Sequence, residues 1–178
     1  MLVIGHILPI ALAAALSTVP ITATIVLLLS PGRSRSAAPF LIGWVLGMFL
    51  TVSLTSLAAQ AIPVGRTPRQ ADTALGVVAI MVGISLIVLA IVSWRRARRM
   101  PAQLPKWVSS IGTLGPWKAL GVAFVLNLRP KGLLLAIAAG LTIRADSDSL
   151  GNAVFAIVVY TVIGASTVAG PIIATLAA

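Results

Sequence analysis

The sequence has no cysteine and no glutamate, and its acidic residues are three aspartates. The absence of cysteine excludes disulfide bonds, thiolate metal sites and cysteine nucleophiles. A single histidine adds little capacity for acid–base catalysis or for a metal cluster. Asp146 and Asp148 share a short serine-containing loop, where we expect solvent around them, since calcium sites usually need about six or more oxygens. We therefore expect no enzyme activity, no metal and no cofactor.

Charged residues of either sign are scarce, at 9% of the chain, whereas 59% of residues are hydrophobic. Together with a mean hydropathy of +1.10, this composition predicts an all-α integral membrane protein that buries its apolar surface in lipid. The net charge of +10 does not indicate a nucleic-acid partner. The basic residues lie in short connections between apolar runs, where they orient the chain in the membrane.

Five apolar runs are long enough to cross a membrane as helices. They cover residues 7–29, 40–62, 73–92, 117–143 and 151–176. A basic connection at 95–117 divides the single transmembrane domain, 1–178, into halves at about 1–94 and 118–178. The first and third connections together contain eight lysines and arginines, and the second and fourth together contain three. This bias predicts a multi-pass protein of the cytoplasmic membrane with its N-terminus outside.

The fourth run carries Arg129-Pro130-Lys131 at its centre. Ionisable groups at bilayer depth are rare and usually face a cavity that a substrate can enter, so Arg129 and Lys131 are the first substrate-binding candidates. Pro130 frees a backbone carbonyl, which predicts a broken helix. Alternatively, the span is displaced and both charges snorkel to an interface. That alternative leaves residues 132–143, about 18 Å of helix, to cross a hydrocarbon core of about 30 Å.

The first and fourth runs also form a weak internal repeat. When Pro20 is aligned with Pro130, Ser17 falls opposite Asn127, and each proline precedes an aliphatic run. Three spans in each half would insert the second half in the opposite sense, as in the inverted repeats of secondary transporters. The candidate lining is then Arg129, Lys131, Asn127, Ser17, Thr18 and Thr22, with Pro20 and Pro130 as helix breaks. Alternatively, the hydroxyls bond to their own backbone and the prolines simply kink the helices.

Four segments carry a resemblance to a known family: residues 9–29, 43–47, 105–107 and 130–140. Together they resemble the GAP family of actinobacterial lipid-addressing proteins, which includes a sulfolipid-addressing protein and is grouped with the LysE-type exporters. The resemblance implies six helices in a three-plus-three inverted repeat, and a role beside larger lipid transporters in moving glycolipids or peptidoglycolipids to the cell surface. Arg129 and Gly132 stand where the family commonly has asparagine.

The predicted function is a membrane transporter or export accessory for an anionic amphiphile. No carboxylate lies inside a predicted span, which favours facilitated movement or an accessory role over a carboxylate proton relay. The alternatives are a membrane scaffold that recruits lipid enzymes or transporters through residues 95–117, and an intramembrane enzyme without an evident nucleophile. With five spans visible, we expect either a sixth helix beyond the given sequence or a homo-oligomer packed through Gly43 and Gly47 or through Gly164 and Gly170.

Overall fold

The computed structural model describes residues 2–60, 68–99, 115–147 and 149–177, and this part of the chain is helical throughout, without strands. The predicted all-α class is thereby confirmed. The seven helices are α1 (Leu2–Ala15), α2 (Thr18–Leu28), α3 (Arg33–Gln60), α4 (Pro68–Arg99), α5 (Pro116–Asn127), α6 (Pro130–Asp146) and α7 (Leu150–Ala177).

Helices α3, α4 and α7 are each long and apolar enough to cross a membrane alone. The other four form two bent pairs: α1 and α2 meet at 48°, and α5 and α6 meet at 63°. If each bent pair is one span, the described residues contain five spans. The predicted breaks in the first and fourth spans are therefore confirmed. The three-plus-three inverted repeat stays a prediction.

The two breaks differ in the position of the proline relative to the break. Pro130 is the first residue of α6, as expected for a residue that lacks an amide hydrogen. In the first span, however, α1 ends at Ala15 and Ser17 is the N-cap of α2, so the break precedes Pro20. Pro20 lies in the first turn of α2, where backbone N–H groups have no intrahelical partner. The break thus lies about one turn before Pro20, as expected for a proline, whose ring clashes with the carbonyl of the residue four positions earlier, here Leu16.

Helix α3 is the centre of the bundle and packs against α5, α6 and α7. Glycines make these approaches close: a Cβ on Gly43 would collide with the backbone of Leu120, and one on Gly140 would lie 2.7 Å from the backbone of Thr55. Gly47 likewise faces Asn127. The proposed oligomer contact through Gly43 and Gly47 is therefore wrong, because α5 of the same chain occupies that face.

The last turn of α4 extends the third span beyond its predicted end. Residues 95–99, assigned from the sequence to a polar connection, continue the helix to Arg99, since arginine is a good helix former. Helix α4 packs mainly on α6, and only 6% of its most apolar window is buried, against 44% for α3 and 39% for α7. The rest of the basic connection, residues 100–114, lies outside the described residues.

Candidate functional site

A cavity of about 640 Å³ opens where the two helix breaks approach each other, and all seven helices contribute to its wall. The first break provides Ser17, Thr18 and Pro20, and the second provides Asn127 and the segment from Arg129 through Gly132. Two segments distant in sequence therefore meet at one site. This is the juxtaposition that the weak repeat of proline-containing spans predicts.

The second break lies near the middle of the bundle. The side-chain amide of Asn127 donates hydrogen bonds to the carbonyl oxygens of Trp44, at 3.3 Å, and of Ala123, at 3.1 Å. Trp44 is the twelfth residue of the 28-residue helix α3, which places it about 17 Å from the start of that helix and about 24 Å from its end. Arg129, two residues beyond Asn127, is consequently held far from either end of α3.

Three cationic side chains border the cavity, and the described residues of its wall include no carboxylate. Arg129 is the N-cap of α6, and Lys131 is the second residue of that helix. Arg96 reaches the same cavity from the last turns of α4. Arg129 is half-buried, whereas Lys131 and Arg96 are exposed. A cleft whose charged side chains are all of one sign attracts counter-ions, so this wall favours an anionic ligand.

The predicted hydrogen-bonding residues differ in whether they line the cavity and in what their side chains bond to. Ser17 lines the cavity and makes no capping bond to α2. Asn127 also lines it, with its amide nitrogen committed to α3 and α5. Thr22 does not border the cavity: its hydroxyl donates to the carbonyl oxygen of Thr18 at 2.8 Å. For Thr22, the alternative of bonding to its own backbone is the one observed.

Much of the remaining wall is apolar, with Met48 from α3, Leu89 from α4 and Leu126 from α5. Trp44 also borders the cavity, and its buried Nε1–H has no hydrogen-bond partner among the described residues. An unpaired buried donor is costly. The cavity is thus amphiphilic, with cations beside hydrocarbon and an unpaired N–H buried behind its wall.

Sequence reasoning missed Trp44 and Arg96. Nothing in the sequence around Trp44 indicates an unpaired nitrogen. For Arg96 a signal existed. The cavity-lining positions of α4 recur at helical intervals and so lie on one face: Leu86, Leu89, Ala90, Ser93 and Arg96. Ending the span at residue 92 hid this pattern.

Comparison with known proteins adds one finding. The model of a protein family, SfLAP, described as Sap, sulfolipid-1-addressing protein, matches residues 7–178. No curated protein and no solved structure is similar enough to this chain to be matched.

Proposed function

Because this chain belongs to the sulfolipid-1-addressing protein family, we propose that it binds an anionic amphiphilic lipid in the cavity between its helix breaks and assists its movement out of the cytoplasmic membrane. The observation that carries the proposal is the wall of that cavity, where Arg96, Arg129 and Lys131 meet apolar side chains without a described carboxylate. A sulfolipid combines the two properties of this wall, since it joins an anionic sulfur oxyacid group to hydrocarbon chains.

The three cations have different capacities toward such a headgroup. The planar guanidinium of Arg129 can donate two parallel hydrogen bonds to an oxyanion, whereas Lys131 acts as a compact point charge. Arg96, near the end of α4, lies closer to the basic cytoplasmic connection and would meet the headgroup first. Ser17 and Trp44 would donate to the remaining oxygens. In this assignment Asn127 holds α5 against α3 and offers its side-chain oxygen to the lipid, and Thr22 is left out.

Several wider features belong to this proposal. The N-terminus lies outside, so that Arg96 is on the cytoplasmic side, and the protein works beside a larger lipid transporter, without enzyme activity and without a nucleic-acid partner. The six-helix inverted repeat of LysE-type exporters is also part of it, because such repeats bring broken helices together at the membrane midplane. Two bent spans sharing a cavity support that arrangement. A second copy of the chain, if present, would pack through faces other than that of Gly43.

The test is lipid profiling of the cell surface in a deletion strain that carries single variants. Arg129→Gln and Lys131→Gln should each abolish delivery of the anionic lipid, while the amount of protein in the membrane stays near normal. Arg144→Gln is the matched control, since it removes an arginine from the last turn of α6, away from the cavity. Normal delivery by both cavity variants would refute the proposal, and loss of the protein from the membrane would assign the two residues to folding.

A second candidate function is a scaffold that recruits lipid-synthesis or export machinery through the basic end of α4. It is favoured by Arg98, which is exposed and lies 4.0 Å from the centre of the Trp94 ring, outside the cavity wall. Arg96→Gln and Arg98→Gln remove one charge each from the last turn of α4, and only Arg96 borders the cavity. Transport predicts a defect for Arg96→Gln alone, whereas scaffolding predicts similar defects for both.

A further inference from the structure

A second cavity, of about 380 Å³, lies between α4 and α6 beside the start of α1. Leu86 borders both cavities, so the two are neighbours separated at this side chain. Leu86 is partly buried and packs in a small cluster with Val82 and Leu141 at the α4–α6 contact. Along α4 the residues of the second cavity precede those of the first, and along α6 they follow them, so the two cavities lie end to end between antiparallel helices. The cationic cavity therefore continues toward the opposite end of the α4–α6 groove.

The second cavity presents no described polar group that lacks a partner. Its hydroxyl, on Thr142, donates to the carbonyl oxygen of Ala138 at 3.0 Å. Its histidine and aspartate bond to each other, with 2.7 Å between His6 Nδ1 and Asp146 Oδ2. The rest of the wall is small or aliphatic and includes Gly83. A ligand that needs hydrogen bonds would gain little here, and a hydrocarbon chain would lose none.

The dimensions of the groove fit one hydrocarbon chain. On α4 the second cavity extends from Leu86 back to Gly76, ten residues or about 15 Å at the helical rise. Half of a hydrocarbon core of about 30 Å is the same length, which is the space that one leaflet gives to its acyl chains. From Gly76 to Arg96 the two cavities together follow α4 for about 30 Å.

Charge fixes the direction in which an amphiphile would lie. Asp146 places a carboxylate at the far end of the second cavity, which repels an anionic headgroup. Arg129 and Lys131 attract that headgroup in the first cavity. The headgroup and the chain of one anionic amphiphile are thereby assigned to different cavities.

We propose that the second cavity holds an acyl chain of the anionic lipid, and that Leu86 forms the constriction through which the chain passes. This inference rests on the proposed function, because it takes the headgroup to be bound by the cations of the first cavity. It adds a substrate requirement: the lipid has at least one hydrocarbon chain long enough to lie in the α4–α6 groove.

Photocrosslinking in phosphatidylcholine nanodiscs tests the proposal with two long-chain alkyl sulfates. One probe carries a diazirine on the terminal carbon of the chain, and the other carries it beside the sulfate. The terminal diazirine should label Val82 and Leu141, and the diazirine beside the sulfate should label Leu89 and Leu126. In Leu86→Trp the terminal labelling should fall at least about fivefold, the weakest effect expected when a tight contact is overfilled. Labelling beside the sulfate should persist.

Two further variants keep the outcome interpretable. Ile87→Trp adds the same ring at the next, lipid-exposed position of α4 and should leave both labelling patterns unchanged. Leu86→Ala widens the constriction and should maintain or increase terminal labelling. One outcome would overturn this inference and leave the proposed function standing. In it, the terminal diazirine labels residues outside the second cavity, whereas the diazirine beside the sulfate labels Leu89 and Leu126 in the unsubstituted protein and loses this labelling in Arg129→Gln. Sulfate-proximal labelling insensitive to Arg129→Gln would overturn both.

Discussion

The hydroxyl of Thr167, in α7, donates a hydrogen bond of 2.7 Å to the carbonyl oxygen of Ala15, the last residue of α1. In an unbroken helix that carbonyl would accept from Val19, but the break at Leu16 and Ser17 removes this partner. Backbone groups freed at membrane depth must be satisfied by neighbours, and Thr167 is such a neighbour. The bend in the first span is therefore held by a side chain from the far end of the sequence.

Thr167→Val should destabilise the protein by about 0.6 to 1.7 kcal/mol, the range measured for hydrogen bonds between membrane helices. Valine keeps the shape of threonine and removes only the donor. Ser166→Ala is the matched control, because the exposed Ser166 hydroxyl donates to Ile163 of its own helix. The free energy of unfolding in mixed micelles is the measurement. Equal losses in the two variants would show that the bond to Ala15 contributes nothing specific.

Gly43→Ala should prevent normal packing of α3 on α5, because the added methyl group would meet the backbone of Leu120 and not a flexible side chain. We expect a cost of about 1–3 kcal/mol. Gly121→Ala is the control: it adds the same methyl group to α5, at a position with no other atom within 4 Å, and should stabilise the helix slightly. Thermal melting of the purified variants distinguishes them, and similar melting temperatures would contradict the assigned contact.

The sequence predicted the helix breaks and much of the cavity because both depend on local chemistry. Proline and charge inside an apolar run are visible without a structure, and they led to Ser17, Arg129 and Lys131. The contribution of α4 could not be obtained in this way. That helix is apolar on most of its surface, so its composition does not tell which face meets α6, and Arg96 enters the site only through that packing.

Trp44→Phe should weaken binding of a long-chain alkyl sulfate by about tenfold or more, since hydrogen bonds to charged groups contribute about 1.5–3 kcal/mol. The free energy of unfolding should change little, because the variant removes an unpaired donor along with some packing. Trp94→Phe, on the exposed surface of α4, should leave binding unchanged. Calorimetric titration of both variants is the measurement, and unchanged affinity in Trp44→Phe would exclude a bond from its indole to the ligand.

Single engineered cysteines test the orientation, since the chain has none of its own. Ser34 lies at the start of α3, about 39 Å along the helix from its last residue. Ser149 follows α6, and Gly140 of α6 packs near that last residue of α3, beside Thr55. With the N-terminus outside, an impermeant thiol reagent should label Ser149→Cys in intact cells and should label Ser34→Cys only after permeabilisation. Ser149 is a better position for the probe than Ser147, because the Ser147 hydroxyl is buried. The reverse labelling pattern would invert the topology.

The two helix breaks also bring main-chain partial charges to the cavity, independent of its side chains. Each break begins one helix at the cavity wall, α2 after Ser17 or α6 after Arg129, and ends another, α1 or α5. A helix carries about half an elementary positive charge at its N-terminus and about half a negative charge at its C-terminus. These backbone charges do not titrate and are not removed by side-chain substitution. A variant that lacks both Arg129 and Lys131 would therefore still present main-chain donors and acceptors side by side at both breaks.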